Sequence, residues 1–175
     1  MSFPVIEQNL HFLRQGAALL GRLDDDRYSR AGSDRPRAAG VGPHLRHCLD
    51  FYRCFLRDLE GGRIDYDVRD RQPEIETSAL AALATIESIM VDLAAIDEAQ
   101  AQREIVVHHD ELPGEEPATS WQRSSVAREL RFLASHTVHH YALIAHLVRQ
   151  QGVEPGEEFG VAPATLEFWA TQETR

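Results

Sequence analysis

Apolar residues recur at helical spacing in four long segments of the chain, and the stretches between them differ sharply in character. In the first, residues 5–23, Ile6, Leu10, Leu13, Leu20 and Leu23 fall near one face, which predicts an amphipathic helix. Residues 24–42, rich in Arg, Asp, Gly and Pro, read as a solvated loop. Gly42-Pro43 then opens a second helix that runs to Glu60, where Gly61-Gly62 stops it. The alternation between 63 and 76 is mostly polar, and an ordered loop is expected there. A third, alanine-rich helix spans 78–97. The β-branched run 103–109 pairs with 119–122 as a short hairpin across Pro113-Gly114. The longest helix follows, capped by Ser124 or Ser125, running through Gln151 and closed by Gly152. Residues 159–169 read as a docked loop followed by a short terminal helix. Four long helices with uneven connections predict one all-α domain over residues 1–175, a four-helix bundle with the hairpin between its third and fourth helices.

Composition narrows the chemistry. The chain has 175 residues, 43% of them hydrophobic, enough for one sizeable core. No apolar run reaches membrane-spanning length and the start lacks a signal-peptide pattern, so a cytoplasmic protein without a membrane partner is expected. All 18 basic residues are arginine and none is lysine, against a formal charge of −10. A lysine Schiff base and a phosphate loop ending in Gly-Lys are therefore excluded. Nucleic acid is a poor partner for so acidic a chain, because phosphate neutralisation supplies most non-specific affinity. Cys48 and Cys54 fall on different faces of one helix, too far apart for a local disulfide, and read as reduced core residues. Packing is favoured over a ligand role for Cys54.

The chemistry that remains is concentrated in Ser135-His136-Thr137-Val138-His139-His140-Tyr141. On a helix His136 and His140 stand one turn apart on one face, roughly 6 Å along the axis. Leu133, Leu143, Ile144 and Leu147 fall on the same side, so the two rings are expected to point with the core stripe. A third ligand is offered upstream by Gly42-Pro43-His44-Leu45-Arg46-His47, where either His44 or His47 qualifies. Zinc, nickel or copper takes imidazole readily, and three nitrogens with an open position form the catalytic type of site. The competing reading is a set of core histidines bonded to their neighbours. Di-iron carboxylate bundles need repeated Glu-x-x-His pairs and zincins need His-Glu-x-x-His, and the chain contains neither.

These motifs resemble those of the DinB/YfiT-like bundle proteins, in which a histidine of the second helix and a His-x-x-x-His pair of the last long helix hold one divalent metal. Gly42-Pro43-His44-Leu45-Arg46-His47-Cys48-Leu49-Asp50 is similar to the second-helix segment, and the alignment that keeps the leucine and aspartate implies His47 as ligand, with His44 one turn earlier. His136-Thr137-Val138-His139-His140 is similar to the downstream motif and implies His136 and His140. The ending Phe-Gly-Val-Ala-Pro-Ala-Thr at 159–165 is similar to one branch of such proteins, with no role attached. Some relatives move low-molecular-weight thiols such as bacillithiol, mycothiol or glutathione onto electrophiles, or isomerise with a thiol's help. The resemblance therefore implies one divalent ion, zinc or nickel, a small-molecule substrate, a homodimer, and either thiol S-transferase or metal-dependent hydrolase activity. A non-catalytic, stress-related metal-binding bundle is the alternative.

Around that site, Glu129 lies seven residues before His136 and returns to the same helical face, where a general base or substrate contact is one reading and a dipole-favoured glutamate the other. Asp50 could orient an imidazole, although a surface carboxylate is the commoner fate. Arg46 and Arg128 could recognise a substrate carboxylate, or be solvated or ion-paired. His108 and His109 are expected at an exposed hairpin edge.

Overall fold

In a computed structural model, residues 3–30, 40–108 and 121–173 are described. The elements in order are α1 (Pro4–Leu20), α2 (Asp25–Ser29), α3 (Val41–Leu59), β1 (Arg63–Asp65), α4 (Pro73–Thr77), α5 (Ala79–Ala94), α6 (Glu98–Ala101), β2 (Glu104–His108), β3 (Gln122–Ser125), α7 (Val126–Gln150) and α8 (Pro163–Glu173). α1 and α3 each pack against both α5 and α7, so the four long helices close an all-α bundle. Its interior is filled by residues such as Leu13, Leu49, Phe55, Ile86, Leu130 and Tyr141.

Helix ends follow local chemistry. Ser78 caps α5 through Ala81 N–H, and Ser125 caps α7 through Arg128 N–H. Asp97, expected inside the third helix, instead starts α6 with a reciprocal capping box to Gln100. The first helix likewise stops at Leu20, short of Leu23, although Leu23 is still buried.

The loop expected over 24–42 is not merely solvated connection. Asp24 caps α2, whose Tyr28 is fully buried and donates its hydroxyl to the Ile75 carbonyl at 2.5 Å. The start of α3 is pressed equally hard against α4, where a Cβ on Gly42 would lie 2.0 Å from the Glu76 carbonyl oxygen. Only glycine fits that approach.

The ordered loop expected over 63–76 is also corrected. Its Arg-Ile-Asp-Tyr-Asp alternation drives Ile64 and Tyr66 into the core. β1 pairs in parallel with β2, and β2 pairs antiparallel with β3, giving a three-stranded sheet in the order β1-β2-β3. β2 pairs with residues 122–125, further along than the expected 119–122, with Glu104 opposite Ser125, and residues 119 and 120 fall outside the described residues. The expected Pro113-Gly114 turn and His109 fall outside the described residues.

The tail does dock. Phe159 is buried and stacks on Tyr141 with ring centroids 4.5 Å apart and planes 6° from parallel. Gly160, at φ 74, lets the chain approach α7 so closely that a Cβ would stand 2.5 Å from Ala142 N. Beyond it, α8 leaves Phe168 and Trp169 exposed. No helix among the described residues is long and apolar enough to cross a membrane.

Candidate metal centre

Where α3 lies against α7, the core stripe of α7 is Leu130, Leu133, Ala134, Thr137, Tyr141, Ile144 and Val148. His136 and His140 flank this stripe and are half-buried, and Leu143 on their side is exposed, so the rings do not point into the core as expected. They open instead along the seam toward α3, where His47 meets them. Ring centroids are 4.9 Å apart for His47 and His136, 4.8 Å for His47 and His140, and 4.6 Å for His136 and His140. One ligand nitrogen from each lies within 4.8 Å of the other two, the spacing that a single ion can bridge.

The seam is locked from the inside by a buried polar chain. Asn9 of α1 donates to the carbonyls of Val5 and Leu130, at 2.7 and 3.0 Å, and accepts from the Tyr52 hydroxyl at 2.7 Å. The Thr137 hydroxyl sits 3.2 Å from that of Tyr52 and 2.8 Å from the Leu133 carbonyl. Because Thr137 follows His136 directly, this network fixes how far α7 can turn, and with it the aim of the histidines.

Two aromatic rings cover the flank of the cluster. Phe51 lies 5.0 Å from His47 and 4.6 Å from His136, and Phe132 stacks on His136 at 5.6 Å. Burial is the leading cause that pushes the imidazoles down. His47 is lowered to about 4, with the neighbouring His136 and Arg69 adding to burial. His136 is lowered to about 4 by burial, His139 and Arg69, and His140 to about 3 by burial and the other rings. Neutral rings keep a nitrogen lone pair for a metal.

His44 does not replace His47. It stands on the far side of His140, the two Nδ1 atoms 3.0 Å apart, and burial lowers its pKa as well. With His140 donating its Nδ1–H to His44 Nδ1, the Nε2 lone pair of His140 is left for the centre, the arrangement by which an outer partner orients a ligating imidazole. The Nε2 atom of His136 is buried without a hydrogen-bond partner among the described residues. Such an orphaned acceptor, converging with two further imidazoles, fits a divalent cation.

Other residues read from the sequence are placed elsewhere. Asp50 orients no imidazole. It is buried, and Arg46 donates to its Oδ2 and also to Glu76 at 2.5 Å, so Arg46 is ion-paired and not set to receive a substrate carboxylate. Glu129 is fully buried two turns from His136 and accepts from Tyr66 at 3.0 Å, Ser124 at 2.5 Å and Arg128 at 2.7 Å. Tyr66 in turn stacks on Phe51 at 5.3 Å, linking Glu129 to the centre through rings. Cys54 donates its thiol to the Val68 carbonyl at 3.3 Å, and burial raises its pKa, so it packs and does not ligate. Cys48 is likewise buried and free.

A second group was not foreseen. Asp65, Asp67 and His108 bring ligand atoms within 4.8 Å of one another at the sheet edge. His108 is half-buried there, with Nδ1 3.3 Å from a carboxylate oxygen of each aspartate, and is not at a fully exposed edge. The signal was present in the alternation of 63–67, which puts both aspartates on one face once β1 is recognised as a strand.

The model of the DinB family matches residues 8–167. No curated protein and no solved structure matches the chain. The matched region spans α3 and α7 with all three converging histidines, and the chain belongs to the DinB family.

Proposed function

We propose that the protein is a divalent-metal-dependent enzyme that transfers a low-molecular-weight thiol to a small electrophile, with His47, His136 and His140 holding one zinc or nickel ion. The observation that carries this reading is the convergence of three neutral imidazoles, one with an orphaned Nε2, at a half-buried seam. When bound, the ion would supply Lewis-acid chemistry and favour an anionic partner such as a thiolate, since three neutral ligands leave its double charge intact. The chain's own part is to hold the imidazoles neutral, to orient His140 through His44, and to exclude water from one flank with Phe51 and Phe132. Glu129 serves this centre as a support, anchoring Tyr66 beneath Phe51.

One observation favours a second reading, in which the ion ties α3 to α7 without turnover. A cavity of about 1060 Å³ between α3 and α5 and another beside β2 and β3 are lined by none of the three histidines. A metal-dependent hydrolase using the same centre is the remaining alternative within enzymes.

The test starts with metal content by mass spectrometry on untagged protein, followed by assay of the loaded protein with bacillithiol, mycothiol or glutathione and an aryl chloride. In the transfer, thiolate sulfur forms a bond to the aryl carbon, chloride leaves, and the thiol proton is released. About one ion per chain and thiol-dependent chloride release support the transferase reading. One ion with no turnover, and a large loss of thermal stability on chelation, supports the structural reading. No metal after reconstitution overturns both.

A further inference from the structure

Each of the two histidines that α7 gives to the centre is followed directly by a residue held from another part of the chain. Thr137, after His136, is bonded to Tyr52 and through it to Asn9. Tyr141, after His140, is 1% exposed, and its hydroxyl has no hydrogen-bond partner among the described residues, so shape holds it in place. At its hydroxyl end α1 presents Gly16, where a Cβ would lie 2.2 Å from the oxygen. Against its ring lies Phe159 of the tail, itself buried and nearly parallel to it.

The tail reaches Tyr141 by folding back. Gly152, at φ 73, closes α7 with its own N–H on the Arg149 carbonyl at 3.0 Å and that of Val153 on Val148 at 2.9 Å. Arg22, just past α1, donates to the Glu154 carbonyl at 2.9 Å, and Gly156 turns the chain again at φ 113. The strand of tail so formed returns about two and a half turns along α7. There Gly160 presses on the peptide that joins Tyr141 to Ala142, a Cβ at that position lying 2.6 Å from the Tyr141 carbonyl carbon.

We propose that Phe159 and Gly160 are positioning residues for His140, a clasp that sets the rotation of the α7 turn from which this histidine reaches the seam. The inference deepens the reading above and rests on it for the role of His140 as a ligand. The side-chain envelope of a helix has a radius of about 5–6 Å, so a rotation of about 10° carries a ring nitrogen by about 1 Å. A zinc–nitrogen bond of about 2.0–2.1 Å does not tolerate that error. The Thr137 bonds anchor α7 one residue past His136, and the clasp anchors it one residue past His140, so each ligand has its own support. His44 restrains the His140 ring from outside, whereas the clasp restrains the backbone that bears it. The close approach admits only glycine at 160, both for its positive φ and for the space above the peptide.

Two variants of the full chain test it. Phe159→Ala removes the stack on Tyr141, and Gly160→Ala sets a Cβ against the α7 peptide. Imidazole nitrogen–proton correlation spectra of the metal-free protein should show the largest displacements at His140 and its partner His44 in both variants. Zinc affinity, read by competition with a chelator, should fall about tenfold at unchanged stoichiometry. Ile105→Val, which loosens the core under β2 away from the clasp, serves as the control and should lower stability while keeping the parent affinity. Parent-like His140 signals in both variants would overturn the clasp, with or without metal. An equal loss of zinc affinity in Ile105→Val would overturn it too, by reducing the effect to general stability. A parent chain that takes up no zinc would instead sink the metal reading, and the His140 signals would still decide the clasp.

Discussion

The two groups of ligand-type side chains differ in what they lack. At the α3–α7 seam three imidazoles converge with no carboxylate among them, and the Nε2 atom of His136 finds no partner. At the sheet edge His108 already lies against Asp65 and Asp67, and Asp65 also accepts from the backbone N–H of Asp67 at 3.0 Å. The first group faces no carboxylate of its own, whereas the imidazole of the second already faces two. Proximity of ligand atoms is common to both, so it cannot be the discriminating feature. The discriminating feature is whether the imidazoles already face a carboxylate.

The sharpest way to break this contrast is to remove ligands from the seam. The double change His136→Ala/His140→Ala should reduce metal content from about one ion per chain to none, since a single remaining imidazole cannot compete with water for a divalent ion. Mass spectrometry of untagged protein reads this directly. Retention of the ion would place it at the sheet edge and reverse the assignment. A smaller effect is expected for His44→Ala, which leaves the three ligands but removes the partner of His140 Nδ1. Metal affinity should fall about 10–100-fold at unchanged stoichiometry, measured by competition with a chelator.

How much of this was legible in the sequence depends on sequence separation. The four long helices and the caps at Ser78 and Ser125 are written in local periodicity and local chemistry. His136 and His140 are linked by helical spacing alone. That His47 joins them, and His44 does not, depends on the rotation of α3 against α7, which residues as distant as Asn9, Tyr52 and Thr137 set. Periodicity also misplaced the pair, because one helical face includes both the buried Ile144 and the exposed Leu143. β1 escaped notice because a three-residue strand has too few positions to establish a period, and its partner β2 lies some forty residues on. Arg46 and Asp50 stand four residues apart on one helix, so their ion pair is local, but no local pattern connects Arg46 to Glu76 of α4.

Below the ligands, the support of the seam can be separated from the site itself. Glu129→Gln keeps the shape but loses the charge that accepts from Tyr66, Ser124 and Arg128. Arg128 is 60% exposed, so solvent screens its share and the hydrogen bonds dominate. Stability should drop by about 1–3 kcal/mol in chemical denaturation, with metal stoichiometry unchanged. Tyr66→Phe should cost about 1 kcal/mol, and the double variant should fall short of the sum, because both changes delete the same bond. Additive losses would show that Tyr66 and Glu129 act separately and would detach Glu129 from the centre.

The smallest effect is expected at the sheet edge. Register places Asp65 beside His108, and Asp65→Asn retains a carbonyl oxygen that can still accept from Asp67 N–H. What it loses is charge facing His108 across 3.3 Å, at a position where the Asp65 side chain is 30% exposed. Pairs of that exposure are worth about 0–1 kcal/mol, so the denaturation midpoint should move little. Metal content should stay at about one ion per chain, because at the edge His108 already faces two carboxylates. A fall in bound metal in Asp65→Asn, with His136→Ala/His140→Ala unchanged, would mean that two carboxylates and an imidazole outcompete three imidazoles here. Engagement by neighbours would then have failed as the criterion, and the charge of the ligand set would have to replace it.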